Sequence, residues 1–151
     1  MQATIALRPA RPVDYDFALA LYVETIKPYT MAYMDWVDAE QVARFAGLWT
    51  PADTQIITLD GVDIGWLEAS EASSEIFLKQ FYVTPAHQRH GVGTEVMQRL
   101  LRQWPAGKPV VLGVLKNNPA RRLYERLGFA LAGETETKFV MRREPPQRQP
   151  S

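Results

Sequence analysis

Cysteine is the most conspicuous absence from this chain of 151 residues. Without a thiol, disulfide bonds and thiolate metal sites are excluded. Net charge is absent too, because 17 basic residues face 17 acidic ones, so no overall field attracts nucleic acid or an anionic membrane. The N-terminal segment lacks the apolar core of a signal peptide, and no apolar run approaches a membrane span. We therefore expect a cytoplasmic protein without nucleic-acid or membrane partners.

Two common phosphate-binding motifs are also absent. A dinucleotide fingerprint requires a third glycine at position 96, which is Val96, and the Gly-Lys-Ser/Thr run of a P-loop occurs nowhere. Histidine is scarce: His87 and His90 share one loop without a nearby cysteine or carboxylate, which is too few ligands for a closed metal site. We expect no metal.

What the chain does contain is a strand, a glycine loop and a helix start in direct succession over residues 77–94, FLKQFYVTPAHQRHGVGT. Pro85 cannot donate to a sheet ladder and ends the strand. Gly91 and Gly93 allow backbone amides to approach a ligand that any Cβ would hold away. Because a helix presents unpaired N–H groups at its N-terminus, this segment is suited to a phosphate or pyrophosphate.

A second motif covers residues 117–129, NNPARRLYERLGF. Asn118 and Pro119 are typical of a helix start, and Gly128 is typical of the left-handed residue that ends a helix. The residues that recur at helical spacing on one face are Ala120, Leu123, Tyr124 and Leu127. Tyr124 is therefore expected to point inward.

The pairing of QxxGxG at residues 88–93 with NxxAxxLYxxxGF at residues 117–129 resembles the GNAT superfamily of acyl-CoA-dependent N-acetyltransferases. The similarity extends across nearly the whole chain, from LRPA at residues 7–10 to the closing strand. The resemblance implies an α/β (α+β) fold: a central mixed, mostly antiparallel sheet of about six to seven strands, with a parallel splayed pair and about four helices. We expect one domain over residues 1–144 and a disordered tail over residues 145–151.

The resemblance also implies acetyl-CoA as cosubstrate. Its pyrophosphate would lie on the amides of residues 88–94, its pantetheine arm would pair with Phe81–Val83 and touch Asn117, and Tyr124 would protonate the departing thiolate. The cofactor-binding residues implied in this way are Phe81, Tyr82, Val83, Gln88, Arg89, His90, Gly91, Val92, Gly93, Thr94, Asn117 and Tyr124.

Elementary chemistry supports the role of Tyr124. A phenol with a reference pKa near ~10 is protonated at neutral pH and can give a proton to a thiolate, whose conjugate acid has a reference pKa of ~8.5. The alternative is a core tyrosine whose hydroxyl simply finds a partner. Clustered positive charge near the two motifs is another candidate contact for CoA phosphates, or else a solvated surface. Its members are His87, Arg89, His90, Lys116, Arg121 and Arg122.

The general base stays open. In well-known members a glutamate on the strand before the loop takes the amine proton, but that position is Phe77 here, and Lys79 has the wrong charge. The remaining candidates are Glu24, Asp35, Glu68 or a chain of water molecules. If no base exists, the alternative is a non-catalytic acyl-CoA-binding or regulatory domain.

An aromatic stretch at residues 28–36, PYTMAYMDW, is the candidate acceptor wall. It predicts a pocket for a partly apolar amine, core packing, or the patch of a homodimer. Asp35 and Asp38 favour a cationic acceptor. We expect direct attack by a primary amine in a ternary complex, whether the amine is a small molecule, an amino acid or a protein N-terminus.

Periodicity and turn signals predict the remaining elements. The predicted helices cover residues 13–26, 39–49 and 94–104, besides the helix of the second motif. The predicted strands cover residues 3–8, 55–59, 62–69, 75–83, 110–115, 129–133 and 137–142. Asp60 and Gly61 mark a tight hairpin turn.

Overall fold

A computed structural model describes residues 4–88 and 91–145. The strands are β1 (Ile5–Pro9), β2 (Thr54–Leu59), β3 (Val62–Glu71), β4 (Ile76–Val83), β5 (Val110–Leu115), β6 (Ala130–Glu134) and β7 (Lys138–Arg143). The α-helices are α1 (Tyr15–Thr30), α2 (Asp38–Leu48), α3 (Val92–Gln103) and α4 (Arg121–Arg126). The strands form one sheet in the order β1-β2-β3-β4-β5-β7-β6. This confirms the expected mixed α/β fold, since β4 and β5 are parallel and the registered pairs β1–β2, β2–β3, β5–β7 and β6–β7 are antiparallel.

The chain divides into two compact units. The first contains the residues up to Ala69 together with Gln80–Val92, and the second contains Ser70–Lys79 and the chain from Gly93 onward. Strand β4 passes from the second unit into the first between Lys79 and Gln80. The single domain over residues 1–144 stays a prediction, and residues 146–151 of the expected tail lie outside the described residues.

An aromatic cluster forms the core of the first unit. Trp66 of β3 is completely buried and donates its indole N–H to the carbonyl of Ala18 at 3.2 Å. Phe45 of α2 and Tyr82 of β4 contact it edge-on, with ring centroids 5.9 and 5.1 Å away. The cluster holds α1 and α2 against one face of the first unit's strands, since burial of such large side chains is the main stabilising term.

Two glycines of the first unit have distinct backbone tasks. Asp60 and Gly61 both have positive φ, 51° and 82°, which is the conformation of the tight hairpin turn predicted there. At Gly65 the chain needs space instead of an unusual φ, because an added Cβ would overlap the carbonyl oxygen of Tyr82. Strands β3 and β4 therefore approach each other closely at the end of β4.

An ion-pair group fastens the start of α1. The guanidinium of Arg8 donates two hydrogen bonds of 2.9 Å to the buried carboxylate of Asp14 and contacts Asp63 at 3.1 Å. The Arg8 hydrogen bonds are the main cause that lowers the pKa of Asp14 to about 2. Asp14 is thus held ionised where it ends the short 3-10 turn before α1.

In the second unit, β5 lies between β4 and β7. Its parallel register with β4 runs from Ile76↔Val110 to Leu78↔Leu112, and its antiparallel register with β7 covers the whole strand. The buried side chains of α3 are Val92, Val96, Met97 and Leu100, which recur at helical spacing on one face.

The predicted helix ends differ from the observed ones. Helix α1 continues to Thr30 although Pro28 lies inside it. Pro28 has no N–H to donate, but Met31 still bonds the carbonyl of Lys27 at 3.0 Å. Strand β5 has the predicted bounds. In the described part of the chain, no helix combines the length and apolarity needed to cross a bilayer.

Candidate active site

The loop after β4 is tied to the strand that precedes it. After Thr84 the chain makes a 3-10 turn over Pro85–His87. The side-chain amide of Gln88 then donates to the carbonyl of Val83 at 2.8 Å, and its backbone N–H reaches Thr84 at 3.2 Å. Gln88, expected to bind cofactor, thus also closes the loop. Arg89 and His90, two further expected contacts, lie outside the described residues.

Gly91 is the residue directly before α3. Its φ is +76°, and an added Cβ would meet no atom within 4 Å. Val92 begins the 12-residue helix, and Gly93 and Thr94 occupy its first turn. Open space in front of Gly91, beside the unpaired N–H groups of a helix N-terminus, fits the phosphate-bearing group that the sequence predicts.

Strand β4 extends beyond the residues that pair with β5. Its register with β5 stops at Leu78↔Leu112, five residues before β4 ends at Val83. The segment Phe81–Val83, expected to lie along the pantetheine arm, falls in this extension, and Gln88 bonds its last carbonyl. The extension and the glycine loop are continuous in sequence and belong to the first unit up to Val92.

The second motif presents a side chain instead of backbone. Tyr124 of α4 is only 6% exposed, and its ring meets Phe129 edge-on at a centroid distance of 5.8 Å. Burial raises the pKa of Tyr124 above its ordinary value of 10.0. The phenol is therefore protonated at neutral pH, as a proton donor must be. Asn117 is exposed just before α4.

The turns around Tyr124 follow the predicted chemistry with one shift. Asn118 accepts the backbone N–H of Ala120 at 2.9 Å, but α4 begins only at Arg121. Gly128 ends the helix with φ +96°, as predicted. Gly93, Thr94, Asn117 and Tyr124 belong to the second unit, so each half of the candidate site is described within its own unit.

The positive cluster near the second motif is largely compensated. Lys116 contacts Glu134 at 2.8 Å, and Arg121 contacts Glu125 at 2.6 Å. Both cations also lie over the ring of Phe139. These partners favour the surface interpretation for Lys116 and Arg121 over contact with CoA phosphates.

The chain between α1 and α2, which contains most of the aromatic stretch, is largely exposed, although Tyr29 and Trp36 are half-buried. Met31, Tyr33, Met34 and Val37 all present large apolar surface, which excludes a core role for these four side chains. Asp35 and Asp38 are both exposed, and Asp38 accepts the indole N–H of Trp36 at 2.6 Å. An acceptor wall and a dimer patch both stay open for this surface.

The three candidate carboxylates differ sharply in environment. Glu24 and Asp35 are exposed, while Glu68 on β3 is 3% exposed and accepts a 2.8 Å hydrogen bond from Gln80. The sequence analysis did not single out Gln80. Its signal was available, because Gln80 is a polar residue inside the otherwise mostly apolar strand FLKQFYV.

Comparison with known proteins defines the class. Residues 39–131 match the family model described as the acetyltransferase (GNAT) domain, which is more than half of the chain. The chain belongs to this family, and the resemblance drawn from the two motifs is confirmed. It is thereby an acyl-CoA-dependent N-acetyltransferase.

Individual relatives agree with this class. A probable N-acetyltransferase of Mycobacterium tuberculosis is 26% identical over 89% of this chain and 85% of that protein. The PaiA N-acetyltransferase of Thermoplasma acidophilum, solved with coenzyme A, superposes with a TM-score of 0.74 at 14% identity, covering 93% of this chain and 99% of that one. An acetyltransferase of Thermus thermophilus gives a TM-score of 0.73 at 19% identity, covering 93% and 97%.

Proposed function

We propose that the enzyme transfers the acetyl group of acetyl-CoA to a primary amine by direct attack in a ternary complex. The observation that carries this proposal is the extension of β4 beyond its ladder with β5, followed by Gly91 and the N-terminus of α3. An extended strand end and a helix N-terminus in succession are suited to an amide-bearing arm that ends in a pyrophosphate. The relative from Thermoplasma acidophilum was solved with coenzyme A, which supports the same ligand class.

The backbone around Gly91 would bind the pyrophosphate, with Gln88, Val92, Gly93 and Thr94 completing the loop. Phe81–Val83 and Asn117 would hold the pantetheine arm. Arg89 and His90 stay predictions, because they lie outside the described residues. Acetyl-CoA supplies an activated thioester, so the protein's tasks are to orient it and to move protons.

Tyr124 would donate its phenolic proton to the thiolate as the C–S bond breaks. Its buried ring and raised pKa support this role, since a protonated donor is needed at the moment the thiolate forms. The mostly exposed stretch at residues 31–37 would line the acceptor side, where Asp35 favours a cationic amine. Cytoplasmic location and a homodimer are further proposals, testable by fractionation and by sedimentation.

The decisive experiment measures thiol release from acetyl-CoA over a panel of small amines, amino acids and peptide N-termini. Acetyl-CoA without acceptor controls for hydrolysis. We expect amine-dependent release, with the acetylated amine identified by mass spectrometry. Tight acetyl-CoA binding with no release for any amine would instead favour the non-catalytic acyl-CoA-binding alternative.

A further inference from the structure

The sheet buries one carboxylate that no role above uses. Glu68 lies on β3 opposite Thr54 of β2 and two residues beyond Trp66. Successive residues of a strand alternate between faces, so Glu68 shares the face of Trp66, against which α1 and α2 pack. Burial of a carboxylate is costly unless hydrogen bonds or a function compensate. The burial of the Glu68 carboxylate therefore requires an explanation.

Two neighbouring side chains fix the orientation of this carboxylate. The hydroxyl of Tyr82 donates to Oε1 of Gln80 at 3.2 Å, and Nε2 of Gln80 donates to Oε1 of Glu68 at 2.8 Å. The phenol thereby determines which end of the Gln80 amide faces Glu68. A carboxylate has about four lone-pair sites, so Glu68 can hold the Gln80 amide and other hydrogen-bond donors at the same time.

The position along β4 connects this group to the reaction. Gln80 directly precedes Phe81–Val83, the segment proposed to hold the pantetheine arm, and it lies beyond the last β4–β5 pair at Leu78. Glu68 is hydrogen-bonded to that point of the strand. By contrast, Glu24 and Asp35, the other two candidate carboxylates, are exposed.

We infer that Glu68 is the general base that deprotonates the acceptor ammonium, acting through one water molecule, and that Gln80 is its positioning residue. The inference rests on the proposed function. The carboxylate takes one proton from the ammonium and later releases it to solvent. The free amine attacks the thioester carbonyl, the N–C bond forms and the C–S bond breaks. The thiolate takes the proton of Tyr124, and the attacking nitrogen's second proton restores the phenol.

A pair of acceptors tests this assignment in the full-length enzyme. One is a primary alkylamine that the wild type acetylates, and the other is the matching alkoxyamine, whose nitrogen is already unprotonated at neutral pH. Glu68→Gln, which keeps shape and hydrogen-bonding capacity, should lower kcat/KM for the alkylamine by about 10²-fold or more, the usual contribution of a general base. The alkoxyamine should lose only a few fold, because it needs no deprotonation before attack.

Matched variants separate chemistry from folding. Glu71→Gln removes an exposed carboxylate on the same strand, which pairs with Lys108, and should leave both acceptors unchanged. Gln80→Leu should reduce alkylamine turnover less than Glu68→Gln does, with the same preference for sparing the alkoxyamine. Melting temperature and acetyl-CoA affinity, measured for every variant, show that the fold and the cofactor site persist.

The outcomes are distinct. Selective loss with the alkylamine supports the assignment. Equal losses with both acceptors would mean a structural role and would overturn it, as would full alkylamine activity in Glu68→Gln. If the wild type turned over no amine of either kind, the proposed function itself would fall, and this inference with it.

Discussion

Two strand–turn–helix segments carry the candidate site, and they are built in opposite ways. The segment from β4 to α3 turns through Gly91 at positive φ and ends in a helix of 12 residues. The segment from β5 to α4 turns through Asn118 and Pro119 and ends in a helix of six residues that carries the buried Tyr124. The first segment offers the backbone amides around Gly91, a residue without a side chain. The second offers the hydroxyl of Tyr124.

This difference teaches how binding and chemistry are divided. Backbone amides hold a ligand equally in the ground state and the transition state, so they govern affinity. A hydroxyl that meets charge only as the thiolate departs acts on the transition state alone. Variants in the first segment should therefore change acetyl-CoA affinity, and variants of Tyr124 should change turnover.

The largest effect is expected for Tyr124→Phe. The ring keeps its packing against Phe129, so acetyl-CoA affinity should stay within a few fold of the wild type. Turnover should fall about 10²-fold, the low end for loss of a general acid, because water partly replaces the hydroxyl. Steady-state kinetics and calorimetric titration of acetyl-CoA measure the two quantities.

A thioester with a less basic leaving thiol should suffer less from this substitution. If the variant kept wild-type turnover, with chemistry shown to be rate-limiting, Tyr124 would be a core residue. The proposed division between cofactor binding by the β4–α3 segment and proton transfer by Tyr124 would then be wrong.

The next largest expected effect is the stabilisation of the wild-type protein by acetyl-CoA. Acetyl-CoA at 100-fold excess over its Kd should stabilise the wild type by about 2.7 kcal/mol, which raises the melting temperature by roughly 5–10 °C in a domain of this size. Tyr124→Phe should keep this shift. No shift at millimolar acetyl-CoA would contradict cofactor binding by the β4–α3 segment.

Gly91→Val should weaken acetyl-CoA binding by about 10-fold or more, since its side chain would enter the space proposed for the phosphate. The positive φ adds a backbone penalty of about 1–2 kcal/mol. Gly61→Val is the matched control, because Gly61 also has a positive φ with no atom near its Cβ direction, yet lies in the β2–β3 turn and not in the proposed cofactor loop. It should lower stability alone. Equal affinity in the two folded variants would place the phosphate elsewhere.

The smallest effect is expected for Asn118→Ala, which removes the acceptor for the N–H of Ala120. The free energy of unfolding should fall by about 1 kcal/mol, the usual net contribution of one intramolecular hydrogen bond. Acetyl-CoA affinity should hardly change, because Asn118 lies in the β5–α4 segment, which is proposed to supply the Tyr124 hydroxyl and not to bind the pyrophosphate. Chemical denaturation and titration check both. A large loss of affinity would show that the two segments are not functionally separate.

Local signals predicted much of this molecule. The turn at Asp60 and Gly61, the left-handed Gly128 and the bounds of β5 all follow from residue chemistry over a few positions. The inward face of Tyr124 follows from helical spacing. Each of these features is decided by neighbours in sequence, which is why a single chain reveals it.

The features that were missed depend on partners distant in sequence. Glu68 could be placed on a strand, but its bond to Gln80 depends on the pairing of separate strands. The bond between Arg8 and Asp63 spans 55 positions. From the sequence, Lys116 could be either a contact for CoA phosphates or a surface charge, and its partner Glu134 lies on a later strand. Strand pairing and side-chain reach decide such contacts, and periodicity carries no information on either.

Gly65 limits which positions of β3 can be varied when this enzyme is engineered to accept new amines. A library on β3 would have to leave Trp66 and Glu68 unchanged, because the first anchors the buried aromatic core and the second is the proposed general base. Gly65 itself has to stay fixed, because even alanine would collide with the carbonyl oxygen of Tyr82 and push away the strand end proposed to carry the cofactor. A library that varies this strand without exempting Gly65 would discard most of its members before acceptor choice is ever tested.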